Sequence, residues 1–464
     1  MSNTTCDVAI IGAGPASIFA AYELMTKAQK PLKVIVLEEG RSLKERRCPI
    51  STQQVDQCIN CSSCSIMRGF GGAGAFSDGK YNLTTAFGGW LNEYLPDSQV
   101  MDLINYVDQI NVNLGAPSKV YSSNNTELIR KALAGDLHLL QGSVRHLGTE
   151  NNYAILQRLY ELLEERIEFR FQTKVTAIEP ETDRISLHTE SGKRQEKVSA
   201  KFVIAAPGRA GAEWFSQQCK ELGLKLFNNQ VDIGVRVELP AEIFQPITDE
   251  VYEAKLVFRT KKYQDPVRTF CMNPHGYVVA ENTDGITTVN GHSYSDPARR
   301  SGNTNFALLV SNRFTEPFNE PHQYGKRIAS FSNMLGGGVL VQRFGDLING
   351  RRTTQHRLSQ SFTKPTLNAT PGDLSLALPK RHLDNIIEMI YALDTVAPGT
   401  ANADTLLYAV EVKFYSARIE LDKQLETKVP NLFAIGDGAG VTRGLSQASA
   451  SGVYVARNIL ARID

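Results

Sequence analysis

The chain has 464 residues, of which 42% are hydrophobic and 21% charged, and its formal net charge is +1. Such a balance is that of an ordinary globular protein and supplies no net field to hold nucleic acid or an anionic membrane. No stretch reaches the ~20 consecutive apolar residues a membrane span needs, and the opening "MSNTTCDVAIIGAG" lacks the basic start and cleavage site of a signal peptide.

The first element in chain order is an apolar run at residues 7–11, of strand length and composition. The turn "GAGPAS" follows, then helical spacing over residues 18–25, and "LKVIVLEEG" carries a second buried strand at 34–37. Strand, glycine turn, helix and parallel strand make a right-handed βαβ unit. Gly12 and Gly14 hold the G-x-G positions of a dinucleotide turn, the first for the tight bend and the second for close approach of a pyrophosphate. Pro15, Ala16 and Ser17 open the helix, with Ser17 in place of the third glycine. Glu38, at the end of the second strand, is placed to accept hydrogen bonds from an adenosine ribose.

Next comes "CPISTQQVDQCINCSSCSIMRGFGGAGAFSDGK". Cys48, Cys58, Cys61 and Cys64 are spaced C-x9-C-x2-C-x2-C, and the chain's cysteine total of seven is odd. Both facts argue against a secreted disulfide scaffold and for a reducing, cytoplasmic setting. The spacing suits an iron–sulfur cluster first and zinc second, with a redox disulfide or plain thiols as the other readings. Gly71, Gly72 and Gly74, followed by Ser77 and Asp78, form a loop whose backbone can pass close to a cofactor. Lys80 is a pyrophosphate contact or a solvated cation, and Arg41, Arg46 and Arg47 are expected to balance phosphates or surface charge.

Residues 101–114 and 153–167 carry helical apolar spacing, the second capped near Thr149. Three alternating runs then read as a β-meander, "EFRFQTKVTAIEP", "RISLHTES" and "KVSAKFVIAAPG", closed by a turn that includes Gly208. From about residue 225 the texture changes to short strands with frequent turns, a strong amphipathic helix at 383–396, and a glycine triplet at 336–338 that reads as a mobile loop. Cys271 and His275 in this part are candidate proton donors. The first texture returns at residue 431: "NLFAIGDGAG" is a buried strand ending in a turn, and a helix starting near 442–445 runs to 459. Gly436 brings Asp437 to a strand end, where a carboxylate can bond the ribityl polyol of a flavin. With Gly444 and Leu445 at its start, the last helix can aim its positive end at the flavin's pyrimidine edge. The expected architecture is α/β: a Rossmann-like domain from residues 1–224 and 404–464, with a mixed α+β substrate domain inserted at 225–403.

The segments "GAGPAS…VLEEG", "KFVIAAPGR" and "LFAIGDGAG" resemble the signatures of two-domain flavoproteins of the glutathione-reductase type. More closely, "CINCSSCSIMRGFGGAGAFSDGK", "HLGT", "RTFCMNPHGYVVAE", "VEVKF" and "GDGAGVTRGLSQASASG" resemble the FAD-dependent dehydrogenases akin to geranylgeranyl-reductase-like flavoproteins. The resemblance covers nearly the whole chain and implies FAD, oxidoreductase activity, and a glycine loop beneath the isoalloxazine ring. Around Cys271 the family often has a second cysteine and a Gly-Gly, where this chain has Asn273 and His275. No second G-x-G-x-x-G follows a strand, so NAD(P)H is expected only as a transient electron donor over the flavin, or electrons come from a carrier protein. The leading expectation is two-electron transfer between FAD and a small organic substrate. The alternatives are a flavin monooxygenase and a flavin/iron–sulfur electron-transfer module.

Overall fold

The computed structural model describes residues 3–49, 52, 54–55, 59, 61, 63–251, 253–283, 285–294, 296–312, 314, 318 and 320–463. The chain divides into two compact units, one of residues 1–120, 142–229 and 416–464, the other of residues 121–141 and 230–415.

In the first unit the strand Asn3–Ile11 is buried on both faces over its last four residues, with Val8, Ala9 and Ile10 fully inaccessible. A parallel strand covered by helices requires such a run. It lies parallel to both neighbours, Val34–Leu37 and Arg194–Ala205, with Ile11 opposite Leu37 on one side and Ala205 on the other. Leu432–Ala434 adds in parallel beyond, Ala434 opposite Ala205. Three strand ends, at residues 11, 205 and 434, therefore lie side by side. This is the carboxyl edge of an α/β sheet, where ligands bind in such folds. The helix Pro15–Lys27 leaves the first of these ends with proline in its first turn, where the missing N–H costs nothing. The last helix, Leu445–Ile463, packs on it so closely that a Cβ on Gly452 would sit 2.0 Å from the Ala16 carbonyl oxygen.

The meander is present as Lys174–Pro180, Ile185–Ser191 and Arg194–Ala205, joined antiparallel. Its expected first run is in fact two strands. Ile167–Arg170 pairs in parallel with Val34–Leu37 at the far edge of the sheet, and Gln172, at φ 51, turns the chain before Lys174.

The second unit is built on an eight-stranded sheet in the order Thr370–Pro371, Leu340–Arg343, Leu406–Phe414, Val231–Pro240, Asn303–Asn312, Pro266–Asn273, Leu256–Arg259, Leu137–Leu139. The alternation along Val231–Pro240 sorts its two faces. Val231, Ile233, Val235, Val237 and Leu239 join an apolar core with the helix Lys380–Val396. Asp232, Arg236 and Glu238 are wholly buried on the other face, each with a partner: Arg268 for Asp232, Glu411 for Arg236 at 3.4 Å, and the Tyr408 hydroxyl for Glu238 at 2.5 Å.

This unit runs past the boundary expected at residue 403, because Leu406–Phe414 is an inner strand of its sheet, paired antiparallel with Val231–Pro240 and Leu340–Arg343. Residues 121–141 also belong to it, through the pairing of Leu137–Leu139 with Leu256–Arg259. An apolar strand carries no mark of which sheet it will join, so sequence texture misplaced both segments. The glycine triplet is not a loop of its own: Gly337, at φ 66, closes the helix Pro321–Gly336 as its cap.

Candidate cofactor site

The turn after the first strand uses its two glycines differently. Gly12 sits at φ 94, and a Cβ there would lie 2.3 Å from the Ala206 carbonyl oxygen, so the fold itself demands glycine. Gly14 has extended backbone, φ −79 and ψ −177, and a Cβ there would meet nothing within 4 Å. The second glycine thus faces open space at the start of a helix that no side chain caps. The first N–H groups of a helix have no partner within it, and Ser17, buried in the first turn, has an Oγ with no hydrogen-bond partner.

Around this opening the structure gathers the other expected segments of the unit. The Gly71 N–H donates to the Ala13 carbonyl at 2.8 Å, and Gly72 lies against the Gly14 Cα. Gly74 packs on the side chain of Leu445, the first residue of the last helix. Gly208, after the strand end at residue 205, touches Gly438, while Gly436 lies against the Ala16 side chain. Asp437 accepts hydrogen bonds from the Thr442 hydroxyl at 2.8 Å and the Gly444 N–H at 3.1 Å, and so fixes the approach to the last helix. Ser446 in that helix's first turn also has a buried Oγ without a partner.

Glu38 does more than the sequence predicts. Its Oε2 accepts from the Ala13 N–H at 2.8 Å, and its Oε1 accepts from the Gly40 and Gly69 N–H groups at 2.7 and 2.8 Å. A carboxylate has about four lone-pair sites. Glu38 therefore fastens the first turn to the glycine loop and keeps one site on Oε2 with which to receive a hydroxyl.

Arg46 departs from expectation. It balances neither phosphate nor surface charge: it is 4% exposed and donates to the carbonyls of Ser65, Ile66, Phe70 and Gly72. The other end of the loop is held by Asn152, buried in the helix Thr149–Leu163, whose Nδ2 donates to the Gly74 carbonyl at 2.9 Å with those of Ala75 and Ser77 at 3.2 and 3.3 Å. Sequence reading missed Asn152, because one polar residue in an amphipathic helix gives no sign that it faces inward. The Ser77 hydroxyl donates to the Gly74 carbonyl. Asp78 faces Lys80 and His146, each at 3.3 Å, rather than a ligand opening. Burial opposes ionisation of Asp78, but those two groups outweigh it and hold its carboxyl below the ordinary range.

Cys48, Cys61 and Cys64 are free thiols, the middle one exposed, and Cys58 lies outside the described residues. Among the described residues, no three His, Cys, Asp or Glu side chains come together as metal ligands. Cys271 and His275 lie in the second unit, both at positive φ, 44 and 50. The Cys271 carbonyl accepts from Arg236 and Asn273 at the register shift inside the strand Pro266–Asn273, and His275, in the turn after it, has Nδ1 3.1 Å from the Ser301 carbonyl.

Residues 230–414, which fall within the second unit, match the family model described as "FAD-dependent protein, C-terminal domain-like". An uncharacterized protein of Clostridium beijerinckii is 26% identical over 475 residues, covering 98% of this chain and 81% of that protein. Among solved structures, aklavinone-11 hydroxylase in complex with FAD and aklavinone is similar at 10% identity and TM-score 0.43, covering 100% of this chain and 63% of that one. A flavoprotein/dehydrogenase from Cytophaga hutchinsonii is similar at 12% identity and TM-score 0.40, covering 99% and 78%. Likeness at that level bears on neither substrate nor reaction. The match of residues 230–414 to an FAD-dependent family model makes FAD the cofactor of this chain.

Proposed function

We propose that the protein is an FAD-dependent oxidoreductase that passes two electrons between the flavin and a small organic substrate. The observation that carries this reading is the meeting of the turn at Gly12–Gly14, the loop at Gly71–Gly74 and the strand end at Gly436–Asp437 in one unit, and the match of residues 230–414 to an FAD-dependent family model supports it. FAD, when bound, supplies the two-electron chemistry. The residues of the chain supply its seat. The uncapped helix start after Gly14 offers N–H groups to the pyrophosphate, and Glu38 offers its remaining lone pair to the adenosine ribose. Asp437 fixes the start of the last helix, whose N-terminal end favours negative charge on a reduced ring.

A proton donor for the substrate is assigned to Cys271 or His275 on sequence grounds. His275→Gln, with FAD content and KM kept and kcat lowered at least tenfold, would support that role. The reading as a whole is tested by anaerobic reduction of the FAD-loaded protein with NADH, NADPH or dithionite, followed by reoxidation with a panel of enones, quinones and carbonyl compounds. Substrate-dependent reoxidation in the absence of oxygen is expected. Reoxidation only by oxygen with substrate hydroxylation, or only by a carrier protein, would replace this reading with a monooxygenase or an electron-transfer module.

A further inference from the structure

Arg46 holds four separate carbonyls of a single loop. Its Nε reaches Ser65 at 2.9 Å, one terminal nitrogen reaches Phe70 at 2.5 Å, and the other reaches Ile66 and Gly72, both at 2.9 Å. Four of its five N–H groups are accounted for by these bonds. Phe76 lies beneath the guanidinium, 4.8 Å away, and Gly69 passes so close that a Cβ there would come within 2.7 Å of Arg46 Cδ. Burial draws the guanidinium's pKa down to about 10, with Glu38 and Cys64 acting in the opposite direction, so it stays charged at neutral pH.

The segment so gripped is the one whose far end forms the cofactor opening. Gly69 is bonded to Glu38, Gly71 to Ala13, and Gly72 lies on Gly14. Residues 65–71 belong to no helix or strand, and Gly72 only opens the single 3-10 turn Gly72–Gly74, so no backbone ladder fixes the shape of the segment. A lysine could keep the charge but lacks the planar fork that meets several carbonyls at once.

We propose that Arg46 is a positioning residue for FAD: from inside the loop it sets residues 65–72 in the shape that holds Gly71 and Gly72 against the Ala13–Gly14 turn. The proposal rests on the reading of that turn as the FAD seat. It adds the claim that the geometry of the fork, and not its charge alone, sets cofactor affinity and the environment of the bound ring.

The test uses the full chain with Arg46→Lys, Arg46→Gln and, as control, the exposed Arg166→Gln. The measurements are FAD affinity, the visible circular dichroism of the saturated flavin, and backbone hydrogen exchange. Both Arg46 variants should bind FAD roughly 100-fold more weakly, the equivalent of two charge-assisted hydrogen bonds lost. Lysine should not rescue. The dichroism of the bound flavin should change, and amides of residues 65–75 should exchange faster while those of residues 8–11 and 203–205 keep their protection. Arg166→Gln should match the unaltered chain in all three. Wild-type affinity and dichroism in Arg46→Lys would overturn the proposal, as would unchanged exchange across residues 65–75, which is readable without flavin even if the glutamine variant folds poorly. A folded wild-type chain that takes up no FAD would instead overturn the function proposed above, and the exchange result would still decide whether Arg46 sets the loop.

Discussion

Gly14→Val separates cofactor binding from folding. The Gly14 backbone is extended and a Cβ there meets nothing within 4 Å, so a side chain can start there without a backbone clash. Replacing glycine with a residue that cannot cap a helix costs roughly 0.5–1 kcal/mol. The branched side chain, however, fills the space in front of the helix N–H groups. A hydrogen bond from a backbone N–H to a charged phosphate is worth about 1.5–3 kcal/mol, so losing two of them weakens FAD binding at least ~100-fold. Gly12→Ala should do the opposite kind of damage. Its left-handed φ costs an L-residue roughly 1–2 kcal/mol, and the new methyl would lie 2.3 Å from a backbone oxygen. A loss of more than ~3 kcal/mol from a typical stability of ~5–15 kcal/mol is expected. Denaturant unfolding of both apo-proteins, with fluorescence titration of FAD, distinguishes the two. A Gly14→Val protein with wild-type FAD affinity, or a Gly12→Ala protein as stable as the parent, would refute this account of the turn.

Asp437→Ala removes the acceptor for Thr442 and Gly444 at the start of the last helix, and FAD affinity should fall roughly tenfold, as for one charge-assisted hydrogen bond. Glu38→Gln should lower both stability and FAD affinity, because an amide oxygen and nitrogen cannot together accept the three N–H groups Glu38 now holds; equal stability by denaturant titration would show that the clamp is dispensable. Acid should destabilise the second unit through His382, 3% exposed, with its Nε2 3.0 Å from Asn312 Nδ2. Burial lowers its folded pKa to about 4, below the unfolded value near 6.5, so the unfolded chain takes up a proton first. Stability is full above the unfolded value and is lost as pH falls toward 4, by roughly 3 kcal/mol. In His382→Gln that slope between pH 6.5 and 4 should flatten, as read by thermal unfolding across pH.

The parts of the site legible in sequence are those whose chemistry is local. Gly12 and Gly14 follow an apolar run and open a helix, and Glu38 ends the next strand, so spacing alone placed them. Residues 71–74, 208 and 436–445 were each legible as turns because they follow a strand end or form a run of glycines, but their meeting at the Gly12–Gly14 turn is a result of the fold. Arg46 and Asn152 were illegible for a physical reason: both are polar residues whose partners are backbone carbonyls twenty to eighty residues away, and a carbonyl has no sequence. The assignment of 404–414 to the first domain failed because an inner strand reads the same whichever sheet receives it. The cysteine spacing suggested a metal site, yet thiols at Cys48, Cys61 and Cys64 are not drawn into a ligand set among the described residues.

The most direct measurement is a paired titration of the apo-protein with FAD and with FMN, followed by flavin fluorescence and visible absorption. FAD should bind one per chain with shifted absorption. FMN lacks the adenylate proposed for Glu38 and the Gly12–Gly14 turn, so it should bind at least ~100-fold more weakly, in line with the loss of two or more charge-assisted hydrogen bonds. A folded protein that binds neither flavin, or that binds FMN as tightly as FAD, would contradict the central claim that this turn is a dinucleotide seat.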